Sequence, residues 1–341
     1  MEEYIKAIFI DYPKHIFIKD IPRPKVLDNH VLVKVESAGI CGSDIAAFIG
    51  SNPLVTYPRL IGHEIAGEVV ELSAGENRFV VGDRVVLEPY IFCGNCYPCS
   101  ISRFNCCENL KVLGVHVDGG MCEYISHPVH LLHKVDKDVP WHLLALVEPL
   151  SIAVHAVERA KVEEGEYIVV SGCGPIGLLI ALCAIVKKAK PIMIDPLEKR
   201  LELARIKGIE YLINPVKSNA INEIKNITHG RMAEVVIEAS GNEEAIQSTL
   251  DYVSFAGRVV LVGWPKFSLN FATSLITKKE LNVYGSRNSC RNFPLCINLI
   301  KDRIVNVESV ITNTISFDEI PKAVQSTTEN PEYYMKVIAM L

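Results

Sequence analysis

The 341-residue sequence has no basic block longer than a pair such as Lys187 and Lys188, and its formal net charge is −5. Binding a polyanion calls for a cationic patch or stripe, so no nucleic acid partner is expected. Low-complexity tracts and internal repeats are also missing. With 49% hydrophobic and 22% charged residues, the composition is that of a folded globular chain, which excludes disorder. The opening stretch MEEYIKAIFI starts with acidic residues and lacks a basic segment, a long apolar core and a small-residue cleavage site. No export signal is therefore expected, and the expected compartment is the cytoplasm. One uncharged run, YIVVSGCGPIGLLIALCAIV at 167–186, has the length of a membrane helix. Its glycines and Pro175 instead divide it into a strand, a turn and an apolar helix ended by Lys187 and Lys188, so no membrane span is expected.

At roughly 150 residues per domain, the length points to two domains. From Lys6 to about Leu87, alternating runs such as VLVKVES and IAGEVVEL between Pro, Gly and Asn read as a mostly β region. From Tyr167 to Gly285 strands alternate with helices: EYIVVS, PIMID, EKRLELARIKG, AEVVIEAS, EEAIQSTLDYVSF, RVVLVG and LNVYG. That rhythm means βαβ units and a parallel sheet covered on both faces, giving an α/β two-domain fold class. The tail from about Arg291 reads as helix, strand, helix and last strand. It is short for a third domain and is expected to return to the first.

What the sequence has in local excess is cysteine: CGNCYPCSISRFNCC, residues 93–107, holds five. Cys93, Cys96, Cys99 and Cys107 have the spacing of a tetrahedral zinc site, whereas disulfides are rare in a reducing compartment. Four protein ligands leave no open position, so this zinc would be a structural clip. Such a site contributes on the order of 10–16 kcal/mol of apparent binding free energy in small peptides, enough to fold a lobe without a core of its own. Cys106, beside the fourth ligand, receives no role.

Chemistry must then lie elsewhere, and three separated pieces offer it: GICGSD with Cys41, IGHEIAG with His63 and Glu64, and VEPLSIAVHA with Glu148. Each alone is weak, and Glu148 before Pro149 reads equally as a helix cap. Together with VGDRV, the four-cysteine lobe and a later G-x-G-x-x-G, their order along the whole chain resembles the zinc-containing medium-chain alcohol and polyol dehydrogenases. The Glu of the EP motif resembles the sorbitol and threonine dehydrogenase branch. NPLVTYPRLIGHE, NCCENLKVLGVHVDGG and YGSRN are similar to bacterial L-galactonate and L-gulonate (hexonate) dehydrogenases. The resemblance implies a GroES-like β-rich catalytic domain at 1–150 with its zinc-binding lobe at 90–110, a Rossmann NAD-binding domain inserted at 151–290, and a return to the catalytic domain at 291–341. It further implies a homodimer or homotetramer.

By the same resemblance, Cys41 and His63 hold a catalytic zinc, with Glu64 and Glu148 exchanging or sharing the carboxylate position. An alcohol gives up hydride only when turned toward alkoxide, and zinc lowers the pKa of bound water from roughly 16 to about 7. Many relatives carry a proton-relay histidine five residues after the cysteine, where this chain has Ala46. Ser43 is then the candidate for taking the substrate proton, with His116 or Glu148 carrying it outward.

The cofactor motif is VVSGCGPIG. Gly172, Gly174 and Gly177 follow a strand and, with Pro175 and Ile176, open a helix whose N-terminus would face a pyrophosphate. Asp195 ends the next strand, where a carboxylate would meet ribose hydroxyls. A 2′-phosphate about 4 Å away would be repelled by roughly 4 kcal/mol per charge at an effective dielectric near 20, which favours NAD over NADP. Arg200, five residues on, reads either as a phosphate contact or as part of a solvated helix face. The resemblance adds Ser240, Val262, Gly263, Ser286 and Arg287 around the nicotinamide.

The expected function is oxidation of a secondary hydroxyl of a sugar acid or polyol. Alternatives are an L-threonine or short-chain diol dehydrogenase, and a non-catalytic nucleotide-binding sensor, for which only Ala46 argues. A hexonate would need an anchor for its carboxylate, and Arg59, His116, Arg287 and Asn288 are the candidates.

Overall fold

Alternating apolar residues of the amino-terminal third pair into antiparallel sheet. In the computed structural model, which describes residues 3–265 and 268–341, the central strand is His30–Ile40. It pairs antiparallel with Glu64–Leu72, with Tyr124–Pro128 and, from the far end of the chain, with Lys336–Met340. Arg84–Leu87, Leu132–Val135 and Ile311–Ser316 complete this seven-stranded sheet. A smaller sheet joins Tyr4–Tyr12 to His15–Pro22 and Arg59–Leu60. Ile8, Ile10, Val31, Val33, Ile61, Ile65, Leu87 and Met121 fill the core of this unit. The acidic Glu2 of the amino-terminal stretch lies outside the described residues.

The chain divides into two units: Met1–Glu148, Phe293–Asp302 and Ile311–Leu341 in one, and Pro149–Asn292 with Arg303–Val310 in the other. The second holds a six-stranded parallel sheet in the order Tyr211–Ile213, Lys190–Ile194, Tyr167–Ser171, Ala233–Glu238, Val253–Leu261, Asn282–Gly285. The first strand in sequence, Tyr167–Ser171, lies mid-sheet with its neighbours wound to either side. That is the switch point at which such sheets bind nucleotides. Its five residues are all buried, as a strand covered on both faces requires.

The uncharged run at 167–186 is this strand followed by the helix Pro175–Val186. Among the described residues no helix is long and apolar enough to cross a membrane. One expectation runs too far: the helix over EEAIQSTLDYVSF stops at Tyr252, and Val253 is already extended and opens the next strand. Its β-branched side chain fits a pleated surface better than a helix. The strand Tyr211–Ile213 and the helices Ala220–Ile227 and Thr273–Lys279 were not legible in the strand–helix rhythm.

Candidate metal and nucleotide sites

Cys41 stands directly after the central strand and caps the helix Gly42–Phe48. Its amide donates to Asp44 Oδ2 at 2.9 Å, so the first turn holds the thiol-bearing residue in place. Glu64 opens the neighbouring strand, in register with Gly39, and His63 immediately precedes it. The ligand atoms of Cys41, His63 and Glu64 all lie within 4.8 Å of one another. Glu148, in the first turn of the helix Val147–Arg159, is buried nearby and accepts the Tyr90 hydroxyl at Oε1. It is not the terminal cap allowed for in the sequence reading, because the helix already begins at Val147.

The electrostatics are those of a site built for a cation. Burial alone would depress His63; the electrostatic pull of the neighbouring Cys41 and Asp44 outweighs it and holds the imidazole well above its ordinary range. His63 Nδ1 is buried with no hydrogen-bond partner, 3.9 Å from Asp44 Oδ1. Burial pushes Glu148 up to about 7, against the pull of His63. A half-buried thiol close to a buried imidazole and buried carboxylates is a donor set that fits zinc.

The two carboxylates differ in how they are held. Glu64 is fully buried, and Lys336 Nζ meets both of its oxygens, at 2.6 and 2.9 Å. Lys336, 2% exposed, also donates to the Ile40 carbonyl at 3.1 Å. A Cβ at Gly39 would fall 1.9 Å from Glu64 Oε2, so only glycine leaves room for this pair. Lys336, Tyr90 and Asp44 escaped sequence reasoning. The signals were a lone lysine in the apolar run KVIAM, an aromatic after Glu88-Pro89, and an acid at the third helical position after Cys41.

Ser43 Oγ is 3.3 Å from His63 Nε2, inside the cluster. His116 is different: its Nδ1 accepts the Val112 amide at 3.2 Å, a loop histidine with that nitrogen spent on its own turn. Arg59 donates to Asp118 at 3.1 Å and to Thr56 at 2.8 Å, so its charge is already matched.

The sulfurs of Cys93, Cys96, Cys99 and Cys107 form a second cluster, with separations of 3.4 Å for Cys96 to Cys99, 3.8 Å for Cys96 to Cys107 and 3.5 Å for Cys107 to Cys93. Four sulfurs at about 2.3 Å from a tetrahedral zinc lie about 3.8 Å apart, so the cluster has nearly the spacing of the filled site. All four cysteines are free of disulfides. The amides of Asn95 and Cys96 bring Cys93 down to about 6, toward the thiolate a metal needs. Cys106 takes no part; its sulfur accepts from Arg103 Nη2 at 3.8 Å.

In the second unit Gly172 has φ +99° and packs against Ser240, whose Cβ a side chain at 172 would approach to 2.9 Å. A Cβ at Gly174 would meet no protein atom within 4 Å, and one at Gly177 would fall 1.8 Å from the Gly172 carbonyl oxygen. The middle glycine thus presents open backbone, while the third lets the helix seat on the turn. Pro175 and Ile176 begin that helix. Asp195 is 3% exposed and accepts the amides of Cys173 and Leu197, each at 2.8 Å. Arg200, read either as a phosphate contact or as a solvated face, is half-buried, with its guanidinium 3.8 Å from Asp195 and the side chain 24% exposed. The amides of Val262 and Gly263 donate to the Glu238 carbonyl, at 2.8 and 3.1 Å, and Ser286 and Arg287 follow the edge strand.

A doubly wound nucleotide-binding unit, carried in one chain with a GroES-like β unit that bears one thiol–imidazole–carboxylate cluster and one four-cysteine cluster, defines a zinc-dependent nicotinamide oxidoreductase. Residues 27–137 match the alcohol dehydrogenase GroES-like domain and residues 175–302 the zinc-binding dehydrogenase domain. The chain belongs to the zinc-containing medium-chain alcohol dehydrogenase family. It is 52% identical to a zinc-type alcohol dehydrogenase-like protein of Haemophilus influenzae over 341 residues, all of both chains. It is 34% identical to the L-galactonate-5-dehydrogenase of Escherichia coli over 333 residues, 97% of this chain and 98% of that one. The crystal structure of Escherichia coli RspB, an alcohol dehydrogenase complexed with NADH, superposes with a TM-score of 0.93 at 32% identity, covering 99% of each chain.

Proposed function

We propose that this enzyme oxidises a secondary hydroxyl of a sugar acid, a hexonate such as L-galactonate or L-gulonate, or of a related polyol, with NAD as acceptor. The observation that carries the chemistry is the cluster of a half-buried Cys41 with the buried His63 and carboxylate; the L-galactonate relative supports the substrate class. Hydride leaves the carbinol carbon for the nicotinamide ring and the hydroxyl proton leaves for solvent, so the products are a ketone, NADH and a proton. Zinc, when bound, supplies the Lewis acidity that favours the alkoxide.

The rest is the work of this chain. Cys41 and His63 hold the metal, with Glu64 or Glu148 completing the set. Asp44 orients the cluster through the Cys41 amide. With Ala46 in the usual relay position, the Ser43 hydroxyl beside His63 is the first acceptor for the substrate proton. Gly172, Gly174 and Gly177 cradle the pyrophosphate at the helix N-terminus, and Asp195 binds the ribose hydroxyls and disfavours NADP. Ser240, Val262, Gly263, Ser286 and Arg287 line the nicotinamide half. Cys93, Cys96, Cys99 and Cys107 hold the structural zinc.

The test is NAD reduction followed with L-galactonate, L-gulonate, sorbitol, a short-chain diol and L-threonine. A hexonate is expected to give the highest kcat/KM. A higher value for threonine or the diol would overturn the substrate class while leaving the dehydrogenase chemistry, and no reduction with any alcohol would favour the sensor.

A further inference from the structure

On the zinc reading above, the two carboxylates of the centre are held in different ways. Glu64 is clamped on both oxygens by the Lys336 ammonium, whereas Glu148 meets a neutral donor, the hydroxyl of Tyr90. Tyr90 is 3% exposed, on the short strand Tyr90–Ile91 paired with Lys111–Val112. Its ring stands edge-on to the fully buried Phe293, with centroids 6.4 Å apart at 87°. Phe293 in turn stacks on His133, whose Nε2 lies 2.8 Å from Glu88 Oε2, two residues before Tyr90. The phenol ring is therefore packed against Phe293, which His133 holds in turn and ties to the segment that carries Tyr90.

If packing alone were wanted, phenylalanine would fill this place without a polar atom. A buried hydroxyl costs free energy unless it is paired, and here the pairing is made to a carboxylate of the candidate centre. Glu148 has its backbone fixed in the first helical turn, so only side-chain rotations remain to be set. We propose that Tyr90 is a positioning residue: the hydroxyl of its buried ring fixes the rotation of the Glu148 carboxylate and so sets how that group meets the metal and the substrate hydroxyl.

Tyr90→Phe in the full-length, zinc-loaded enzyme tests this. Release of the catalytic zinc to a chromophoric chelator should speed up about tenfold or more, the size of effect seen when a partner of a metal ligand is lost. The visible bands of cobalt substituted at the centre should shift, and kcat should fall about 10- to 100-fold with the KM for NAD nearly unchanged. Zinc release and cobalt bands identical to wild type would overturn the proposal, even in a variant of lower stability. Should Tyr90→Phe not fold, Phe293→Leu, which loosens the ring and keeps its hydroxyl, should speed release of the same zinc; unchanged release would count against the role. A wild-type enzyme with no zinc at Cys41 would defeat the zinc reading itself, which separates the two failures.

Discussion

Asp195 shows how much one side chain can be asked to do. Its two oxygens take the amides of Cys173 in the glycine turn and of Leu197 at the next helix, so the carboxylate braces the nucleotide loop in addition to the ribose contact proposed for it. Asp195→Asn keeps an acceptor and loses the charge; the kcat/KM ratio of NAD over NADP is expected to narrow by about tenfold or more, since relieved repulsion amounts to a few kcal/mol. Equal kcat/KM values for both cofactors in the wild type would remove this role. Lys336 is the opposite case, a charge whose value lies in its partner. Lys336→Met strands Glu64 in the interior and should lower unfolding free energy by about 3–5 kcal/mol in denaturant titration. His127 gives a pH signature. Burial holds it at about 3 while its Nε2 lies 3.0 Å from the Glu88 carbonyl, so the native state stays neutral where the unfolded chain takes a proton. Stability from this residue is complete above the ordinary imidazole pKa near 6.5 and declines as pH falls toward 3, by about 2 kcal/mol at pH 5. His127→Gln should flatten that part of the stability profile.

The loop at 93–107 lacks regular structure apart from the one-turn helix Tyr97–Ser100 and a short 3-10 turn, so the metal must supply what a core would. Cys99→Ser should lose one zinc per chain and lower Tm, with kcat retained in the protein that folds; a wild type holding one zinc would contradict the clip. The fold was legible wherever periodicity was regular: the alternating strands of the first unit, the strand–helix rhythm of the second and the four-element tail. It was illegible where elements are short, as with Tyr211–Ile213, or where a β-branched residue closes a helix by opening a strand, as at Val253. Gly39 shows a limit of another kind. Nothing in GICGSD announces that a glycine is needed to seat a carboxylate from the neighbouring strand, because that demand comes from register across the sheet.

At the scale of the molecule, the four-cysteine cluster was readable from spacing alone, and Cys41, His63, Glu64 and Glu148 only from a pattern spread over more than a hundred residues. The residues that hold them escaped, since Lys336, Tyr90 and Asp44 act through contacts that distance in sequence conceals. Helical position left Arg200 between two readings for a related reason, since only tertiary packing brings its side chain to 3.8 Å from Asp195. Two metal sites divide the labour: an open zinc at Cys41 would react, and a closed one among the four cysteines would hold the lobe. Zinc content measured beside NAD reduction in Cys41→Ser tests this division most directly. The expected result is a folded protein with one zinc fewer per chain than wild type and NAD reduction lost. Full zinc content with turnover preserved would contradict it.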